Sequence, residues 1–166
     1  MKKLTRMGVI VVIVGVSLLL TTFYRGSNQE GINRFQWLGT PSEGFVFDDR
    51  FLLPPRTCQI HLNSSSEVDV YILDEEGIRL WEEKETLEPI WNSSGAKQHT
   101  GTFDVNKRGE YAQLVFNIHN ATTSIQETFR FSGIEKDLVV ASVAITAIGL
   151  VTVAASVLLK KFRVRH

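Results

Sequence analysis

Cysteine is almost missing from this chain, where Cys58 stands alone among 166 residues. A single thiol excludes an intramolecular disulfide, and with it the stapled framework on which small secreted domains rely. Also missing are an H-E-x-x-H or H-x-x-x-H pair, a G-x-S-x-G elbow and a Gly-rich phosphate loop. His61, His99 and His119 are dispersed, and the acidic stretches Asp48-Asp49, Asp74-Glu75-Glu76 and Glu82-Glu83-Glu85 lack calcium-loop spacing. No catalytic residue, cofactor or metal is therefore expected, and an enzyme such as a membrane-tethered hydrolase is the lesser alternative.

Acidic residues are absent from both ends of the chain. All 18 lie between Glu30 and Asp137, and residues 25–137 also hold 11 of the 18 basic residues, so this segment carries net −7. That excess excludes a nucleic-acid partner. The ends hold only bases: Lys2, Lys3 and Arg6 at one, Lys160, Lys161, Arg163 and Arg165 at the other.

Two long runs lack any charge. Leu138 to Leu159 is 22 residues, about 33 Å as a helix, enough to cross a bilayer. Gly8 to Tyr24 is shorter, at 17 residues. Behind the basic 1–7 tip it reads as a signal-anchor helix, with a cleaved signal peptide as the alternative. Short basic tips stay cytoplasmic, so both termini are expected inside and residues 25–137 outside the cell membrane.

The C-terminal run carries a stripe of small and hydroxylic residues: Ser142, Thr146, Gly149, Thr152 and Ser156. In the first run Gly8, Gly15 and Thr22 repeat at intervals of seven. Such stripes let helix backbones approach closely. They could join the two helices, a homo-oligomer or a membrane-protein partner.

Between the runs, 25–44 reads as a linker rich in turn formers, with Phe35, Trp37 and Leu38 at a domain edge or among lipid headgroups. From residue 45 to 132 the pattern is β: six to eight short runs bounded by Gly, Pro, Asn, Asp or Ser predict an antiparallel β-sandwich or jelly-roll. Cys58, Ile60 and Leu62 share one strand face, as do Ile125, Phe129 and Phe131, opposite Gln126, Thr128 and Arg130. In 111–118 the row Ala112, Leu114, Phe116, Ile118 is apolar, and Tyr111, Gln113, Val115, Asn117 is mixed. The run around Trp81 reads as a strand and loop or a single helical turn, ended by Pro89. Tyr71, Trp81, Trp91 and Tyr111 are candidates for a contact face. Sequons at Asn63, Asn92 and Asn120 predict glycosylation at strand ends or loops.

The stretch "TFDVNKRGEYAQLVFNIHN", preceded by "VDVYILDEEGIRLW", resembles the GOLD domain of the emp24/p24 cargo receptors and GOLD-like ectodomains of small archaeal and bacterial membrane proteins. The resemblance implies a β-sandwich before a C-terminal span, and a sorting receptor that captures soluble cargo. The receptors' disulfide, coiled-coil stem and dilysine tail have no counterpart here. Taken together, the expected class is a membrane-anchored all-β protein flanked by two transmembrane helices (8–24 and 138–159), with a 160–166 basic tail. It would act as a non-catalytic extracytoplasmic binding or accessory module of a larger membrane complex, such as a transporter.

Overall fold

The computed structural model describes residues 2–27, 30–39, 46–119 and 121–164. The chain forms two units: Met1–Asn28 with Ile134–His166, and Gln29–Gly133.

The first unit is a pair of helices, α1 (Lys2–Ser27) and α3 (Lys136–Val164). Both are long and apolar enough to cross a membrane. They run antiparallel: Thr5 Oγ1 lies 2.6 Å from Ser156 Oγ near one end, and Arg25 meets buried Glu135 at 3.1 Å at the other. Gly8, Gly15 and Thr22 face Ser142, Gly149 and Ser156, and both sets are spaced by seven, a period that keeps one stripe turned toward a partner helix. A Cβ on Gly15 would fall 2.7 Å from Thr146 N, and one on Gly149 would fall 2.7 Å from Val12 N. The helices therefore approach to a distance only glycine allows at these points.

At Ser142, Gly149 and Ser156 the small-residue stripe is thus covered inside the chain by α1, while Thr146 and Thr152 remain partly exposed. Its hydroxyls mostly bond their own helix, Thr22 to Leu18 O, Thr146 to Ser142 O and Thr152 to Ile148 O. Between the helices, backbone approach does the packing, with Thr5–Ser156 as a hydroxyl contact.

The second unit holds β1 (Glu30–Leu38), β2 (Val46–Leu53), β3 (Thr57–Leu73), α2 (Glu75–Lys84), β4 (Trp91–Asp104), β5 (Gly109–Asn117) and β6 (Thr123–Ser132). The segment read as linker therefore contains an edge strand, whose nine residues pair with β6 from Glu30↔Phe131 to Leu38↔Thr123. The helix is likewise longer than the single turn expected. Asp74 caps it by accepting from Gly77 N, and Glu85 closes it in the left-handed region at φ 52°.

A long ribbon of β3 and β4 forms the spine. Along one edge β3 pairs with β4; along the other its first half pairs with β6 and its second half with β5. The two halves, β1-β6-β3-β4 and β2-β5-β3-β4, thus share the ribbon and fold over one another in a β-sandwich-like arrangement. The polar "NSSS" in the middle of β3 does not break it, and the strand continues with a register shift between Asn63 and Val68. Polar groups satisfy the backbone at this bend: Ser64 Oγ donates to Ser66 O, Asp69 accepts from Gly95 N, and His99 bonds Ser93 Oγ and Ala96 O, each at 2.8 Å. Gly95 supplies the positive φ of 64° that the turn of β4 requires.

Cys58, Ile60, Leu62, Val68, Val70 and Ile72 point into the core, with Phe103, Val115, Ile125, Phe129 and Phe131 facing them. Side chains of this size each contribute about 1.5–3 kcal/mol when fully buried. Burial also pushes the Cys58 thiol up to about 12, so it is an inert core group. The rows of β5 behave unexpectedly. Its mixed row (Tyr111, Gln113, Val115, Asn117) faces the main core, and Ala112, Leu114 and Phe116 of the apolar row pack under α2 with Leu73 and Ile78, while Ile118, past the end of the strand, is exposed. Both faces of β5 are covered, so alternation there does not separate inside from outside.

Candidate ligand-binding face

Two polar features stand out, one inside the sandwich and one on it. Inside, register places Arg34 opposite Glu127 on β1–β6 and Asp49 opposite Gln113 on β2–β5. The pairs meet across the layers: Gln113 Nε2 donates to Glu127 Oε2 at 2.6 Å, and Arg34 forms an ion pair with Asp49. Arg34 also lies over the Phe51 and Phe129 rings, 5.5 and 6.0 Å from their centroids. Gln113 and Glu127 are fully buried, and their remaining Oε1 atoms have no hydrogen-bond partner among the described residues.

Burial raises the Glu127 carboxyl above its ordinary value, against lesser opposing effects of the Gln113 hydrogen bond and the Arg34 charge. A raised folded-state value means that the native protein holds a proton the unfolded chain would release. The stabilisation is full below the unfolded carboxyl pKa of about 4.3 and fades as pH rises through the folded one. Glu127→Gln lacks this dependence. We expect its stability relative to the native chain to improve between pH 4 and pH 8, as measured by thermal unfolding in detergent. A Glu127→Gln stability that stays constant or falls relative to the native chain as pH rises contradicts the assignment.

The sequence-based contact residues do not form a surface. Tyr71 on β3 and Trp81 on α2 each pack edge-on against Phe116, at 5.5 and 5.9 Å, and are half-buried there. Trp91 is half-buried against Phe103. Tyr111 is buried, and its hydroxyl donates to Lys107 O across the "NKRG" turn at 3.0 Å. The reason is common to all four: each lies beside a neighbouring element that covers it.

Among the described residues of the sandwich, the exposed aromatics are instead Phe35 and Trp37 on β1, 61% and 67% accessible, with ring centroids 5.4 Å apart and planes at 85°. Leu38, grouped with them in the sequence, turns into the core. Phe35 and Trp37 open onto the outer face of β1-β6-β3-β4, which register resolves into ranks. Phe35 lies in line with Gln126, Asn63 and Gln98; Asn33 lies in line with Thr128, His61 and Thr100. The next rank is Gly31, Arg130, Gln59 and Thr102. Thr128 donates to Asn33 at 2.8 Å, and His61 contacts Thr100 at 3.2 Å. Strand spacing makes this surface about 14 Å wide, with ranks about 6.7 Å apart.

The remaining singled-out residues lie elsewhere. Asn63 falls in the middle of β3, beside its register shift, in place of the strand end or loop expected, whereas Asn92 is the second residue of β4, at a strand end; both are exposed, and Asn120 lies outside the described residues. His119 pairs with Glu67 at 3.3 Å on the surface, and His99 serves the bend of β4. Among the described residues no three His, Cys, Asp or Glu converge as a metal would need.

A mixed-charge groove of about 740 Å³ runs between α2 and the β4–β5 turn, floored by Ile78 and Tyr111. Two of its cations form ion pairs: Arg50 bonds Glu82 at 2.7 Å, and Arg79 bridges Glu76 and Glu83. These contacts hold Arg50 and Arg79 above and Glu76 below their ordinary values.

No family model and no curated protein matches the chain. Among solved structures, the pre-peptidase C-terminal domain of a collagenase from Bacillus anthracis is similar at 10% identity and TM-score 0.47, covering 60% of this chain and 88% of that one. The Yersinia pseudotuberculosis-derived mitogen is similar at 7% identity and TM-score 0.43, covering 63% and 87%.

Proposed function

We propose that this protein is a membrane-tethered, non-catalytic binding module. In this reading the α1–α3 pair spans the membrane with both basic tips in the cytoplasm, and the sandwich is held on the opposite side. The antiparallel packing supports the first half. It puts the basic tips at the same end, as the positive-inside rule favours. A cleaved signal peptide needs no partner helix, whereas α1 is fitted to α3 at Gly8 and Gly15.

The observation that carries the binding role is the outer face of β1-β6-β3-β4, where two large aromatics stand exposed beside polar ranks whose one charge is Arg130. Isolated exposed apolar residues are ordinary, but a paired Phe and Trp on an edge strand mark a recognition surface. A photo-crosslinking residue at Gln126 should yield adducts in the native membrane, and one at Glu83, on the exposed side of α2, should not. Equal yields at both positions, or none at Gln126, contradict a binding role for this face.

A further inference from the structure

We infer that the Phe35–Trp37 face binds neutral oligosaccharide carried by another molecule. The inference rests on the reading of this face as the binding surface, and adds the class of ligand.

A pyranose ring presents C–H groups on its flat side and hydroxyls around its rim. An aromatic ring face is electronegative and attracts the C–H side, while the rim needs groups that both donate and accept. The face has both at matching distances. Phe35 and Trp37 offer exposed ring surface, and Gln126 stands one strand away, about 4.8 Å, with Asn63 one strand further. Asn33 and Thr128, already bonded to each other, lie one rank along.

Charge and apolarity narrow the choice. Residues 25–137 contain all 18 acidic side chains, yet none occurs in these ranks, where Arg130 is the sole charge. A strongly charged ligand would find no matching field. Away from the two rings the ranks hold amides, hydroxyls, His61 and Gly31, with no aliphatic side chain. A protein partner would lack the apolar centre on which such interfaces close. A ligand built from hydroxyls and C–H faces suits both parts of the surface.

The full chain, made in a host without N-glycosylation and placed in nanodiscs, is titrated with a panel of neutral gluco-, chito- and manno-hexasaccharides. We expect at least one to bind with Kd at or below about 1 mM, read by calorimetry and tryptophan fluorescence. Trp37→Ala and Phe35→Ala should each weaken binding at least about tenfold. Glu83→Ala should not, and both face variants should keep native unfolding curves because their side chains are exposed.

Silence across the panel overturns the inference, as does binding unaffected by both face variants. A glycan on Asn63 of the protein from its native membrane would also overturn it, since the face would then be covered by the chain's own sugar. Protein adducts at Gln126 combined with a silent panel would refute the sugar ligand while leaving the binding module standing. The absence of adducts there would refute the module itself.

Discussion

Gly15→Leu pulls α1 away from α3. The Cβ alone would sit 2.7 Å from Thr146 N and 3.0 Å from Ser142 O, both backbone atoms of a helix that cannot yield locally. The remaining leucine atoms have no room, so the helices must separate or rotate. Thr5 and Ser156 report the result, because their hydroxyls are 2.6 Å apart and cysteines there would fall within disulfide reach. Thr5→Cys/Ser156→Cys should cross-link readily on mild oxidation. Adding Gly15→Leu should slow the reaction at least about tenfold, equivalent to ~1.4 kcal/mol. Leucine at Val140, an exposed position on α3, should have no such effect. Unchanged cross-linking in Gly15→Leu would mean that the small residues do not set the helix pairing.

The second large effect lies in the sandwich. Gly101 sits beneath the Trp91 indole, where a Cβ would come 2.5 Å from Cε2 and 2.6 Å from Cζ2. The indole is rigid and is backed by Phe103, so it cannot move aside cheaply. Gly101→Ala should cost about 1–3 kcal/mol through overpacking. For a unit of this size that lowers Tm by roughly 4–8 °C per kcal/mol. Trp91→Phe in the same background, with its smaller ring, should recover part of the loss. A Tm unchanged by Gly101→Ala would show that the ring does not rest on this glycine.

These sites mark the boundary of what the residues alone could reveal. Period-two alternation disclosed the buried row Cys58-Ile60-Leu62, because one face of β3 there is wet and the other dry. It likewise sorted Ile125, Phe129 and Phe131 from Gln126, Thr128 and Arg130, but passed over Glu127, which shares the inner row and is held by Gln113 from the other layer. No local pattern announces a cross-layer partner. Strand β1 was hidden because "EGINRFQWL" mixes turn formers with aromatics, as an edge strand bonded on one side is free to do. Its Phe35 and Trp37 were noticed as aromatics, yet their exposure depends on lying at the edge of the sheet, a tertiary fact. Conversely nothing local marks Tyr71, Trp81, Trp91 and Tyr111 as packing residues, because their partners, Phe116 for the first two, Phe103 and Gly101 for Trp91 and Lys107 O for Tyr111, are set by the fold. The helix stripes were legible as stripes. That each is the other's partner became visible only when Gly8 and Gly15 met Gly149 and Thr146.

The central claim is that two membrane-spanning helices hold the sandwich on the side opposite both basic tips. Single exposed cysteines at Gln126 and Lys160 test it with a membrane-impermeant maleimide on intact cells. The native thiol does not interfere, because Cys58 is buried and its pKa is pushed up to about 12. The account predicts immediate labelling of Gln126→Cys, and labelling of Lys160→Cys only after the membrane is permeabilised. Labelling of Lys160→Cys on intact cells with Gln126→Cys protected, or release of the protein from membranes by alkaline carbonate, would contradict it.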